Sequence, residues 1–179
     1  MASIAEHESA DEIDTVKPFT RADSTTMTTY RFRVKYEEEP TSLWRDIVVG
    51  ANRSLDEFQT VLNRSVGLDQ GHLWFFGTDQ DYWSSDVRYE RPGEVEQSPS
   101  GTVDEEEYDA GETTVGEMAS KLELEERDRI CYLFDYGDEW RFYAILKDVT
   151  EEAPSDTAPE VTREEGDPVD QYSRSERRR

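Results

Sequence analysis

The first clear pattern along the chain is a strict alternation. Tyr30, Phe32, Val34 and Tyr36 are separated by Arg31, Arg33 and Lys35, the period of two that places apolar side chains on one face of a half-buried strand. Pro40 ends this segment. Leu43 to Val49 is denser in apolar residues and predicts a second strand, covered on both faces. Ser54-Leu55-Asp56-Glu57 is a capping box. It opens a helix on which Leu55, Phe58, Val61 and Leu62 share a face, and Gly67 suits its C-cap. His72-Leu73-Trp74-Phe75-Phe76 predicts a short strand, and Asp81-Tyr82-Trp83 starts another. Thr114-Val115-Gly116-Glu117 repeats the capping box before Val115, Met118 and Leu122, a short amphipathic helix. Ile130 to Tyr136 and Trp140 to Lys147 predict two strands, with Gly137-Asp138 suited to a tight turn between them. The order is ββαββ, insert, αββ. It predicts an α+β domain with a largely antiparallel or mixed sheet of about six strands and the helices on one face.

Composition divides the chain. Of its 20 aromatic residues, only Phe19 and Tyr172 fall outside residues 28–149. That step marks 28–149 as the folded domain. Residues 1–27 are expected to be a disordered acidic lead, with a shorter translated form starting at Met27 left open. Residues 150–179, with Pro154, Pro159 and Pro168 among acids, are expected to be a disordered tail. An insert at residues 90–112 holds Pro92, Gly93, Pro99, Gly101 and Gly111, carries a net charge of -8, and is expected to be disordered and solvated.

The whole chain carries a net charge of -23, from 43 acids against 20 bases. The acids are spread along it: residues 28–149 alone carry -15. Lysine occurs only at positions 17, 35, 121 and 147. Such a charge strains a compact state by self-repulsion, which molar salt screens. The expectation is a protein of a salt-rich cytosol, as in salt-loving archaea. One cysteine excludes a disulfide framework and a cysteine-rich zinc site, and two histidines exclude a multi-histidine metal centre. No apolar run is long enough for a membrane span, and acids stand where a signal peptide needs a basic region. A cytoplasmic location is expected.

A further likeness lies in the order of several short motifs. Tyr30 to Lys35 is followed by Leu43-Trp44-Arg45-Asp46-Ile47, then Ser54 to Phe58, then Gly71-His72-Leu73-Trp74-Phe75, and finally Tyr132-Leu133-Phe134-Asp135-Tyr136-Gly137-Asp138-Glu139-Trp140. In that order they resemble the plasmid pRiA4b ORF-3-like family, over roughly residues 28–149. The closing hairpin is the most specific element. The resemblance implies an α+β fold and a link to plasmids and mobile elements, some relatives being insertion-element passengers with a resolvase-like name. It implies no demonstrated activity. Two positions depart from the pattern: relatives often carry a second histidine where this chain has Trp74, and another where it has Phe142.

The candidate chemistry is sparse. Asp135 and Asp138 flank Gly137 as a carboxylate pair for a hard cation or acid–base work, or as turn residues accepting backbone amides. The turn reading is favoured because no third ligand is evident. His72 is either a general base near an aromatic cluster or a partly buried structural histidine. Cys131, inside an apolar run, reads as a core thiol. Trp44, Trp74, Trp83 and Trp140, with Tyr82 and Phe142, are mostly core, and any left exposed becomes an interface candidate. The candidate ligand-binding residues are therefore His72, Trp74, Asp135, Asp138 and Trp140, with no metal and no cofactor expected. Direct nucleic-acid binding is not expected: apart from Arg174 to Arg179 no basic run exists, and no basic face is visible. Nucleotide, hydrolase and redox motifs are absent. The first functional expectation is a non-enzymatic accessory domain that binds a protein partner through exposed aromatics. The alternative is a small enzyme or ligand-binding protein using His72 with Asp135 and Asp138. An acidic mimic of nucleic acid is a third.

Overall fold

The computed structural model describes residues 26–95, 106–154 and 158–173. The elements are strand β1 (Thr26–Tyr36), β2 (Trp44–Gly50), helix α1 (Leu55–Val66), β3 (Trp74–Gly77), a 3-10 turn (Tyr82–Ser84), β4 (Val87–Glu90), β5 (Glu106–Asp109), helix α2 (Val115–Lys121), β6 (Arg129–Phe134), β7 (Trp140–Pro154) and β8 (Glu160–Glu165). A last helical turn covers residues 171–173. The strands form one open sheet in the order β5-β4-β3-β6-β7-β1-β2-β8. Every pairing is antiparallel except β4 with β5.

The alternation in β1 does what the period of two requires. Phe32, Val34 and Tyr36 are buried towards the helices, while Arg31, Arg33 and Lys35 lie on the other face. Both helices start at complete capping boxes, at Ser54–Glu57 and Thr114–Glu117. Helix α1 packs Phe58 between Phe32 and Phe76, at ring-centroid distances of 5.4 and 5.5 Å. It stops at Gly67, whose φ of 88° favours glycine and whose missing Cβ would lie 2.7 Å from the Val169 carbonyl oxygen.

The helix buries more than its apolar stripe. Gln59 and Asn63 are fully buried, and Val61, expected on the core face, is only half-buried. Gln59 Nε2 donates to the Tyr132 hydroxyl (2.8 Å), which donates to Asn63 Oδ1 (2.6 Å). Asn63 Nδ2 then donates to the Asp69 carbonyl (2.7 Å). This polar chain joins α1 to β6 through the middle of the core.

The sheet has eight strands, not six, and the order ββαββ-insert-αββ gains β5 and β8. Residues 106–112, inside the expected insert, form β5 and the turn into α2. Only residues 96–105 of the insert lie outside the described residues. Residues 150–173, placed in a disordered tail, extend β7 to Pro154 and add β8 to the edge of β2. Both added strands are edges, and edges carry charged side chains that blunt further pairing. β5 reads Glu-Glu-Tyr-Asp, with Tyr108 stacked on Tyr89 at 5.4 Å. β8 turns only Val161 towards the core. Buried Arg45 completes the attachment: its guanidinium donates to the carbonyls of Ser65, Trp44, Glu165 and Gly166 at 2.7–3.0 Å. The expected lead, residues 1–27, lies outside the described residues up to residue 25, and the final two open β1.

Candidate functional site

The sequence-predicted residues gather at one end of β3 and β6 but do not build a cavity. His72 sets its ring edge-on to Phe134, with centroids 5.6 Å apart. Its Nδ1 lies 3.7 Å from Asp135 Oδ2 and its Nε2 lies 4.0 Å from Asp69 Oδ1. Both distances exceed hydrogen-bond reach. Asp135 is occupied by its turn: Oδ1 accepts the backbone amides of Gly137 (3.0 Å) and Asp138 (3.3 Å). Asp135 and Glu139 adopt φ of 67° and 50°, so the β6–β7 connection is a five-residue turn and not a two-residue hairpin. Trp74 and Trp140 are 2% and 3% exposed and belong to the helix-side core. His72 and Asp135 are thus brought side by side, while the two tryptophans are buried. Among the described residues no group of three potential metal-ligating side chains converges.

The opposite face of the sheet is differently built. Gly77, Phe75, Cys131 and Leu133 face away from the helices, and the segment after β3 folds over them. The expected strand at Asp81-Tyr82-Trp83 is instead the 3-10 turn, because Tyr82 drops inwards and its hydroxyl donates to the Phe142 carbonyl at 2.8 Å. Ser85 Oγ accepts the amides of Thr78 (3.1 Å) and Asp79 (3.0 Å). That close approach needs a glycine at 77, where a Cβ would meet Ser85 Oγ at 2.3 Å.

This turn projects Trp83 outwards. It is 38% exposed, the most exposed tryptophan in the protein. It is nonetheless fixed. Its ring stands edge-on to Tyr136 at 4.9 Å and tilted on Phe75 at 5.4 Å, and its indole N–H donates to Glu139 Oε1 at 2.8 Å. Arg88 Nη2 donates to the Trp83 carbonyl at 2.6 Å, with its guanidinium 5.2 Å from the Phe75 ring. Beside Arg88 on the same face of β4 lies Glu90, 4% exposed. Burial, and secondarily the Glu107 charge, push its carboxyl up to about 7, against the pull of Arg88. Burial and then the Glu90 charge raise the Tyr136 hydroxyl as well.

Along the same face a cleft of about 360 Å³ opens beside Tyr82, Tyr143, Arg129 and Cys131, with Glu37 and Asp79 at its rim. Burial pushes the Cys131 thiol up to about 11, so at neutral pH it is a protonated core group and not a nucleophile. The core-thiol reading of Cys131 therefore agrees with its setting.

The family profile for plasmid pRiA4b ORF-3-like proteins matches residues 28–170. The chain belongs to this family. The match runs past residue 149 and takes in β8, in keeping with the observed fold. Among solved structures, the pRiA4b ORF-3-like fold resembles the crystal structure of a protein of unknown function, MM3350, from Methanosarcina mazei Go1. The TM-score is 0.57 and the identity 16%, over 78% of this chain and 70% of that one. No curated protein matches the chain. Trp74 and Phe142 both point into the helix-side core, across the sheet from Trp83. Trp83 was visible in the sequence as one tryptophan among four. Arg88 and Glu90 were missed, although the alternation Val87-Arg88-Tyr89-Glu90 already sets them on one face.

Proposed function

We propose that this pRiA4b ORF-3-like protein is a non-enzymatic accessory domain that docks a protein partner on the uncovered side of its sheet, with Trp83 as anchor. The observation that carries the reading is the rigid exposure of Trp83, clamped by Tyr136, Phe75 and Glu139. Interface hot spots favour tryptophan, tyrosine and arginine held in place before binding, because little side-chain entropy is then lost. The family points to a setting among plasmids or mobile elements, and the charge of -23 to a salt-rich cytosol. No helix of the described residues is long and apolar enough to cross a membrane.

The test is affinity capture at molar KCl with the protein and its Trp83→Ala variant side by side. The reading expects a specific protein recovered by the first and depleted at least tenfold with the second, with both baits folded by circular dichroism. Recovery independent of Trp83 would refute it. A second reading, ligand binding at His72, rests on the 3.7 Å approach of His72 to Asp135. It predicts that His72→Gln abolishes binding of a ligand that Trp83→Ala leaves untouched.

A further inference from the structure

Docking on Trp83 leaves the chemistry of the partner open, and Glu90 narrows it. Strand register sets Glu90 opposite Phe75 and two places from Arg88 along β4, so all three face away from the helices. Phe75 is also the common neighbour of Trp83 and Tyr136, at 5.4 and 6.0 Å. The Glu90 carboxyl therefore lies beside the exposed anchor. Glu90 is only 4% exposed, yet among the described residues its carboxyl accepts no hydrogen bond and forms no ion pair. A carboxylate taken out of water without donors is costly, so it is either paired or kept protonated.

The charges around it do not supply that partner. Arg88, from the same strand, pulls on Glu90, but its Nη2 is spent on the Trp83 carbonyl at 2.6 Å, and its guanidinium lies 5.2 Å from the Phe75 ring and 5.9 Å from the Trp83 ring. Glu107 from β5 and Glu94 beyond the end of β4 act in the opposite sense to Arg88. Asp109, the register partner on β5, turns its oxygens to the amides of Gly93, Gly111 and Glu112. Strand β3 contributes the uncharged Phe75, and the β6–β7 turn contributes Tyr136, whose hydroxyl is raised by burial and then by the Glu90 charge. Three carboxylates thus stand against one cation, and that cation braces Trp83.

We infer that the partner docked on Trp83 presents an arginine or lysine side chain, which lies against Trp83 and Tyr136 and pairs with the Glu90 carboxylate. The inference rests on the docking reading and adds the chemistry of the partner to it. Rings beside a carboxylate suit such a side chain: the rings take its stem and flat face, and the carboxylate takes its donors. An acidic segment would bring like charge against Glu90, Glu94 and Glu107. A wholly apolar one would seal the Glu90 carboxyl in without a donor. Because that carboxyl titrates at about 7 in the free protein, the contact carries a pH signature. A cation favours the ionised form, so binding strengthens as pH rises through 7.

The experiment is fluorescence anisotropy of three labelled peptides: alternating arginine and glycine, its lysine counterpart and its glutamate counterpart. KCl is held at the lowest concentration at which circular dichroism shows the folded sheet. Saturable binding is expected for the basic peptides and not for the acidic one, with affinity rising about tenfold from pH 6 to pH 8, the change in ionised fraction of a group at about 7. Glu90→Gln should weaken binding at least tenfold at pH 8 and remove the pH dependence. Glu126→Gln, at an exposed acid between α2 and β6, should stay within twofold of the parent, and Trp83→Ala should weaken binding severalfold. Loss with Glu90→Gln but not with Trp83→Ala would uphold the cation site and overturn Trp83 as the anchor; the reverse pattern would keep the anchor and overturn the inference. No saturable binding of the basic peptides, equal binding of the glutamate peptide, or equal weakening by Glu126→Gln would each overturn it too.

Discussion

Replacing Asp46 by asparagine keeps the shape of the side chain and removes its charge. Asp46 has no exposure to solvent, accepts both donors of Arg33 at 2.7 and 2.9 Å, and has Arg31 Nη1 at 3.4 Å. Breaking a buried ion pair by neutralising one partner costs about 3–5 kcal/mol when the other is stranded. Here the arginines are not fully stranded, since their side chains keep 33% and 20% exposure. Water can reach them, so the expected loss is smaller, about 2–3 kcal/mol. For a domain of this size that is a fall in Tm of roughly 5–10 °C.

The pH dependence gives the stricter check. Burial alone would raise the Asp46 carboxyl, but the Arg33 hydrogen bond and the charges of Arg33, Arg31 and Arg163 outweigh it and hold the group below its usual range. A carboxyl depressed in the folded state stabilises it above the unfolded pKa, near 4, and that contribution is lost as pH falls through the folded pKa. The gap between the protein and Asp46→Asn should therefore be full at pH 6–7 and close progressively below about pH 4. Thermal unfolding followed by circular dichroism at fixed KCl measures both. A variant melting within a degree of the parent at neutral pH, or a gap that widens in acid, would refute the reasoning.

Glu90 has the opposite sign. Its folded pKa of about 7 stands above the unfolded value, so its protonated form is favoured by folding and its contribution fades as pH rises from about 4 through 7. Urea denaturation should show Glu90→Gln gaining on the parent between pH 5 and 8 by an amount of order 2 kcal/mol, and a parallel pH dependence in both would disprove the assignment. Tyr132→Phe removes the hydroxyl that serves Gln59 and Asn63 in the core and should cost about 1–3 kcal/mol in the same assay. With a net charge of -23, Tm should climb steeply from low to molar KCl as the screening length shrinks to about 3 Å. Equal stability across that range would remove the case for salt adaptation.

The parts of the fold legible in the sequence are those in which side chains do the folding. Alternation exposed β1, and capping boxes located the starts of α1 and α2. Strands β5 and β8 were hidden because their backbones pair while their side chains face solvent, so Glu-Glu-Tyr-Asp and Glu-Val-Thr-Arg-Glu-Glu read as solvated acid. The buried polar chain of Gln59, Asn63 and Tyr132 was illegible for a related reason: its partners lie about 70 residues apart and are joined only by tertiary packing. His72 and Asp135 were singled out and do end up adjacent, but the turn consumes the Asp135 carboxylate.

The face of the sheet away from the helices shows why local charge sums mislead in so acidic a chain. Arg31, Arg33 and Lys35 stood in plain view as the polar half of an alternating strand, where their natural reading is a solvated surface. Their meaning changes once β7 and β6 bring Tyr143, Arg141 and Arg129 alongside. An arginine on an open sheet covers apolar surface with its stem and keeps its charge at the rim, which alone would account for Arg33 over Trp44. The same holds for Arg129, whose guanidinium lies over the Tyr143 ring. Acids stand there as well: Glu37 and Asp79 line the same cleft as Arg129 and Tyr143, and Asp148 faces Arg31 across the strands. Folding therefore interleaves both signs on this face, and a charge of -23 summed along the chain does not describe the balance on one side of the sheet.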